Sequence, residues 1–206
     1  MQETFAQIEQ HLLNDEQPST YLNALLKGGG LAEWPLNLLE DQVGVPQSPL
    51  HHPEGDVWNH TCMVVDEAAQ RRSVSREPRV FMWAALLHDL GKPLTTRIRK
   101  NQRITAYDHD KEGEKLARQF LKAFTDDNSF IDQVAQLVRW HMQVLFVVKD
   151  LPFADIDTML SQVELDEVAL LSLCDRMGRG ELDPEIAARE AENIRIFVEK
   201  CRQHVK

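Results

Sequence analysis

No apolar run in this 206-residue chain approaches a membrane-spanning helix, and no segment alternates apolar and polar residues long enough to signal a strand. Cysteine is scarce: Cys62, Cys174 and Cys201 are an odd number at wide spacing with no CxxC pair. That usage fits reduced thiols in a cytoplasmic protein. The opening residues, Met1-Gln2-Glu3-Thr4-Phe5, lack the basic-then-apolar order of a signal peptide. Positive charge is in deficit, with 23 basic against 33 acidic residues and a net charge of −10. Such a balance argues against tight binding along a nucleic-acid duplex, which needs clustered cations. It leaves small phosphorylated ligands open, because a bound cation can neutralise them locally.

What the chain has instead is helical periodicity. Residues 3 to 13 place Phe5, Ile8 and Leu12 on one face, and Ser19 or Thr20 can cap a second helix running to Lys27. Gly28-Gly29-Gly30 reads as its stop, since no strand precedes it and no Gly-Lys-Ser/Thr follows. A third short helix is expected around Leu31 to Glu40, then a proline-rich loop from Val43 to Gly55. Asp56 caps a helix to about Arg71 whose buried stripe includes His60. Further helices are expected after Asp108, over 129 to 142, near Asp155 to Gln162, and over Glu164 to Asp175. Arg97 to Arg103 reads as a polar loop, Thr105-Ala106-Tyr107 as extended chain, and Val144 to Val148 is ambiguous between helix and extended chain. Asp183-Pro184 opens a long final helix with Glu190, Ile194, Phe197, Cys201 and Val205 along one face. The chain reads as a single all-α domain.

Its centre is the stretch Val80 to Leu90, apolar without a break from Val80 to Leu87 and so buried on every side as a helix. Pro78 stands at its first turn, Gly91 suits a left-handed C′ residue, and Pro93 cannot continue the ladder. His88 and Asp89 fall in the last turn of this apolar helix, where burial without partners is costly. His60 and Asp175 also lie on apolar stripes, and His109 and His141 are two more candidates. Imidazoles mixed with carboxylates suit Mn, Fe, Co, Ni or Zn better than Ca.

That order of residues resembles the HD superfamily of metal-dependent phosphohydrolases. It is most similar to the HD domain that follows the nucleotidyltransferase module in bacterial CCA-adding tRNA nucleotidyltransferases. The residues that carry the resemblance are Tyr21-Leu22-Asn23-Ala24-Leu25-Leu26, Gly44-Val45-Pro46-Gln47, His52-Pro53-Glu54-Gly55-Asp56, His60-Thr61, His88-Asp89-Leu90-Gly91-Lys92, His109 with Gly113, His141, and Asp175 through Gly178-Arg179. They cover about residues 20 to 180, with additional helices on either side. The resemblance implies an HD-domain helical bundle and metal ligation by His60, His88, Asp89 and Asp175. His109 and His141 match positions that bind a second metal in some members and phosphate in others. Lys92 and Arg179 match positions suited to a substrate phosphate.

The implied activity is phosphomonoester or phosphodiester hydrolysis at one or two divalent ions, Mg included. Asp89, His109 and Lys92 are the catalytic candidates; Lys92, Arg179 and His141 are the substrate-binding ones. The implied substrate is a small nucleotide or an RNA end, such as a 2′,3′-cyclic or a 2′- or 3′-phosphate. A non-catalytic module that senses nucleotides or docks on a partner in tRNA or RNA metabolism is the alternative. Two departures stand out. Asp175-Arg176-Met177-Gly178-Arg179 has Met177 where this branch has arginine, so Arg176 is a candidate replacement contact. The 206 residues contain no nucleotidyltransferase module, so CCA addition is not expected of them.

Overall fold

Helix starts and stops in the computed structural model, which describes residues 1–100, 102–180 and 183–204, follow mostly from local chemistry. Twelve α-helical stretches occur among the described residues. They are α1 (Gln2–Asn14), α2 (Pro18–Lys27), α3 (Asn37–Glu40), α4 (Val57–Arg71), α5 (Pro78–Leu87) and α6 (Lys92–Thr95), then α7 (His109–Lys122), α8 (Asn128–Trp140), α9 (Gln143–Val148), α10 (Ile156–Gln162), α11 (Leu165–Met177) and α12 (Pro184–His204). A small antiparallel ribbon, β1 (Thr96–Ile98) with β2 (Ile104–Ala106), stands between α6 and α7. The fold is all-α, and no helix among the described residues is long and apolar enough to cross a membrane.

Helix α5 is the core. Every residue from Phe81 to Leu87 is fully buried, against α1, α4, α8 and α11. Burying each large side chain contributes about 1.5–3 kcal/mol. Phe5 stacks between Trp83 and Phe124, with ring centroids 4.5 and 4.6 Å away, and Trp83 Nε1 donates to Glu9 Oε2 at 2.8 Å. These contacts fix α1 on the central helix without an unpaired indole N–H.

Asp56 caps α4 as expected, accepting from the Asn59 N–H at 2.9 Å. Other boundaries differ, each for a physical reason. Pro18 opens α2, and Ser19 directs its N–H and hydroxyl to Asp66 of α4 instead of capping. The third helix shrinks to α3 because Pro35 disfavours helical geometry at Trp34. Asp108 precedes α7 in a left-handed conformation (φ 60°) with its carboxylate on Lys111, so it makes no cap bond. Asp127 caps α8 through the Phe130 N–H at 3.1 Å. The ambiguous 144–148 stretch is helical, as part of α9. On α12, Phe197 and Cys201 are buried as the stripe required, while Val205 lies outside the described residues.

The end of the central helix departs most from expectation. Helix α5 stops at Leu87, so His88 and Asp89 sit in the turn beyond it and not in its last turn. Gly91 is right-handed (φ −77°) and not left-handed. It is glycine because a Cβ there would lie 2.0 Å from the His109 carbonyl oxygen and 2.7 Å from the Gly113 nitrogen. Pro93 opens α6 instead of ending a segment. Arg97 to Arg103 is not all loop, since Arg97 and Ile98 belong to β1 and pair with Thr105 and Ile104 of β2, where extended chain is expected at Thr105 and Ala106.

Candidate metal centre

Two close backbone approaches assemble the site. Gly91 brings the turn after α5 against the start of α7, and Gly178 brings the end of α11 against α4. A Cβ on Gly178 would meet the Val64 nitrogen at 2.7 Å and its Cα at 2.8 Å. His60 in the first turn of α4, His88-Asp89 after α5, His109 at the start of α7, His141 after α8 and Asp175 near the end of α11 therefore converge. All six are buried.

The four imidazoles share one orientation. Each Nδ1 faces a backbone carbonyl: His60 at Gly178 (3.0 Å), His88 at Ala85 (2.8 Å), His109 at Ala106 (2.7 Å) and His141 at Val138 (2.6 Å). A carbonyl accepts and never donates, so each Nδ1 carries the hydrogen and each Nε2 is turned inward. Asp89 lies between them. Its Oδ2 is 3.2 Å from His88 Nε2 and 3.9 Å from His60 Nε2; its Oδ1 is 3.5 Å from His109 Nε2 and 4.0 Å from His141 Nε2. Asp175 joins through its Oδ1, 3.0 Å from His60 Nε2. One ligand atom from each of His60, His88 and Asp89 falls within 4.8 Å of the others, and so does one from each of Asp89, His109 and His141.

Burial by itself raises the Asp89 carboxyl, but His88 and Lys92 hold it well below the usual carboxylate range. Burial likewise works against ionised Asp175, and Arg179, 3.6 Å away, and His60 overcome it. Burial pushes His109 down, and it pushes His141 down to about 4 together with the neighbouring His109 and His88. Both shifts favour the neutral imidazole, the form that can ligate a metal. Burial also opposes charge on His60, yet the Asp175 and Glu54 carboxylates raise it overall. The two carboxylates thus favour positive charge at this point of the site.

These donors fit a divalent transition metal. His88 Nε2 and Asp89 Oδ1 are buried without a hydrogen bond, a costly arrangement unless something else coordinates them, while Asp89 Oδ2 is paired with the Lys92 ammonium at 2.7 Å. His109 and His141 face each other Nε2 to Nε2 at 3.2 Å with both Nδ1 hydrogens already committed, so two lone pairs meet unless a proton or a metal lies between them. The mixed nitrogen and oxygen set could hold such an ion at either side of Asp89.

Lys92 and Arg179 flank the carboxylates. Lys92 Nζ is 2.7 Å from Asp89 Oδ2 and donates to Gln47 Oε1 at 2.6 Å, so it is held and not free-swinging. Arg176 does not supply the cation that Met177 lacks: it is buried and paired with Glu190 of α12. Burial pushes the Cys62 and Cys174 thiols up to about 12, which leaves them packing residues. Sequence reasoning misses Glu54, whose Oε1 is 2.8 Å from both His52 Nδ1 and His60 Nδ1, with its side chain 2% exposed. The available signal is a carboxylate inside a Pro-Glu-Gly turn just before the cap of the helix that bears His60. It also misses Gln47 as the partner of Lys92.

Residues 57–180 match the protein-family model described as HD domain. The chain is 31% identical over 202 residues to the multifunctional CCA protein of Halorhodospira halophila, covering 92% of this chain and 45% of that protein. It is 36% identical over 118 residues to the multifunctional CCA protein of Actinobacillus pleuropneumoniae (56% and 28%) and 33% over 129 residues to that of Thioalkalivibrio sulfidiphilus (63% and 30%). The chain spans less than half the length of these relatives.

Proposed function

This chain belongs to the HD domain family, a superfamily of metal-dependent phosphohydrolases, and on that footing we propose that it hydrolyses nucleotide-type phosphate esters, namely 2′,3′-cyclic phosphates and 2′- or 3′-monophosphates. The observation that carries the reading is the inward set of four Nε2 atoms around Asp89, with each Nδ1 anchored on a carbonyl. The similarity to multifunctional CCA proteins supports a substrate drawn from nucleotides or RNA ends.

In this reading His60, His88, Asp89 and Asp175 hold one divalent ion, and Asp89, His109 and His141 hold a second. A bound divalent ion supplies Lewis acidity, bringing the pKa of a water from 15.7 towards about 7. Asp89 stays ionised at neutral pH and accepts a hydrogen bond from the attacking water, fixing its line of approach. Lys92 is held by Gln47 and Asp89 where it can offset charge that grows on a phosphoryl oxygen. Arg179, beside Asp175, does the same from the end of α11. The lowered proton affinity of His109 favours ligation over donating a proton to the leaving oxygen.

The test is metal analysis of purified protein, followed by assay on 2′,3′-cyclic AMP, 2′-AMP, 3′-AMP and an aryl phosphate. Hydrolysis that is lost with EDTA and with Asp89→Ala is expected. Well-metallated protein that hydrolyses none of the four would overturn the reading and leave a binding module.

A further inference from the structure

The ribbon interrupts an otherwise acidic chain. From Leu90 to Tyr107 there is no aspartate or glutamate, while Lys92, Arg97, Arg99, Lys100 and Arg103 all fall there. Pairing puts Arg97 opposite Thr105 and Ile98 opposite Ile104, and the Arg99 N–H donates to the Arg103 carbonyl at 2.9 Å, extending the ladder by one pair. Alternation then sorts the side chains. Arg97, Arg99, Arg103, Thr105 and Tyr107 share one face; Thr96, Ile98, Ile104 and Ala106 share the other. Side-chain contacts agree: Arg99 Nε donates to Thr105 Oγ1 at 3.1 Å, and its guanidinium lies 5.8 Å from the Tyr107 ring centroid. Arg97, Arg99, Lys100 and Arg103 are exposed, as is the Tyr107 ring. The neighbouring carboxylate, Asp108, is engaged by Lys111 at 2.7 Å.

Both strands are rooted in the metal centre. β1 follows α6, whose first residue is Lys92, and β2 ends at Ala106, whose carbonyl accepts from His109 Nδ1. Three residues of strand carry the basic face roughly 10 Å outward.

We propose that this face is a docking arm for single-stranded RNA, so that the substrate is an oligoribonucleotide end: its terminal phosphate enters the centre and its upstream backbone crosses the ribbon. The proposal rests on the hydrolase reading above. Guanidinium groups bind backbone phosphates, and an exposed aromatic ring among them stacks a base without regard to sequence. A chain of net charge −10 repels a long polyanion elsewhere, which confines contact to the few phosphates the ribbon can reach.

Binding is read separately from turnover, with a fluorescein-labelled single-stranded octaribonucleotide ending in a 3′-hydroxyl, by anisotropy on the metallated protein. Three phosphate contacts give a slope of log affinity against log salt of about −2. Arg97→Gln with Arg99→Gln and Arg103→Gln is expected to weaken binding at least tenfold and flatten that slope. Tyr107→Ser is expected to weaken it by about tenfold, as a second variant with less effect on charge. In turnover, the triple variant should raise KM for a cyclic-phosphate-ended octamer and leave 2′,3′-cyclic AMP unchanged. Wild-type protein that binds the octamer with this salt slope but hydrolyses nothing would support the arm and sink the hydrolase reading. Absence of octamer binding, or variants that bind it like wild type, would overturn the arm even if cyclic AMP is hydrolysed.

Discussion

Replacing Gly91 with alanine sets two effects of opposite sign against each other. Its backbone, φ −77° and ψ −17°, is one that alanine adopts without strain. Loss of freedom in the unfolded chain would then stabilise the protein by about 0.4–1 kcal/mol. Against this, the new Cβ would sit 2.0 Å from the His109 oxygen, 2.9 Å from its carbonyl carbon and 2.7 Å from the Gly113 nitrogen. All three are backbone atoms, so no side chain can rotate away. The turn and α7 must part by more than an ångström to restore ordinary contact. Overpacking of this kind costs about 1–3 kcal/mol. The steric term wins, with a net loss of about 1–2 kcal/mol, or about 2–8 °C in melting temperature for a chain this size. The displaced atoms belong to His109, whose Nε2 approaches Asp89 at 3.5 Å, so metal content should fall as well. Thermal unfolding followed by circular dichroism, metal-free and metal-loaded, separates packing from ligation. A metal-free Gly91→Ala protein that melts at or above the wild-type temperature would refute the argument.

Removing the metal should lower stability by about 2.7 kcal/mol when the ion had been present at a hundred times its Kd, and an unchanged melting temperature in EDTA would contradict ion binding at this site. Glu54→Gln should fold normally yet bind metal about 10- to 100-fold more weakly, because the carboxylate supporting His60 Nδ1 is removed; competition with a chromophoric chelator reads this directly. Phe81→Asp places an unpaired charge at a fully buried position of α5 and should abolish cooperative unfolding, whereas a near-normal transition would show that α5 is not the core.

The central helix is legible in the sequence because Val80 to Leu87 leaves no polar face for any other arrangement, and burial along α5 is complete to match. The candidate site residues are flagged in the sequence because histidines and aspartates in apolar surroundings are costly without partners, while the roles proposed for them come from the resemblance alone. What local rules cannot supply is the closure of the turn after α5. Its glycine answers to α7, 18 residues further on at His109, and not to the handedness of a helix end. Pro93 looks like a stop because nothing local distinguishes an ending from the first turn of another short helix. Only half of the ribbon is legible: Thr105-Ala106 reads as extended and lies in β2, whereas β1 is hidden, because a strand of three residues is too short for alternation to register and the face is set by pairing.

The tautomers follow the same division between local and distant causes. His88 and His141 each donate to the carbonyl three residues upstream, Ala85 on α5 and Val138 on α8. Those carbonyls lie in the last turns of their helices, where no intrahelical N–H remains to satisfy them. A histidine just past a helix end therefore completes the helix and fixes its own ring in one step, with Nε2 left free. His109 uses the same spacing from the end of β2, through Ala106. His60 cannot, because it stands inside the first turn of α4, where the carbonyls of its own helix serve the ladder. Its anchors are the Glu54 carboxylate, 2.8 Å away, and the Gly178 carbonyl, 118 residues away, which reaches it because Gly178 has no Cβ to hold α11 off Val64. Three of the four inward nitrogens are thus oriented by neighbouring sequence, and the fourth by the Glu54 carboxylate together with the packing of α11 on α4. A substitution at Gly178 should accordingly disturb His60 and Asp175 together while leaving the other three imidazoles in place.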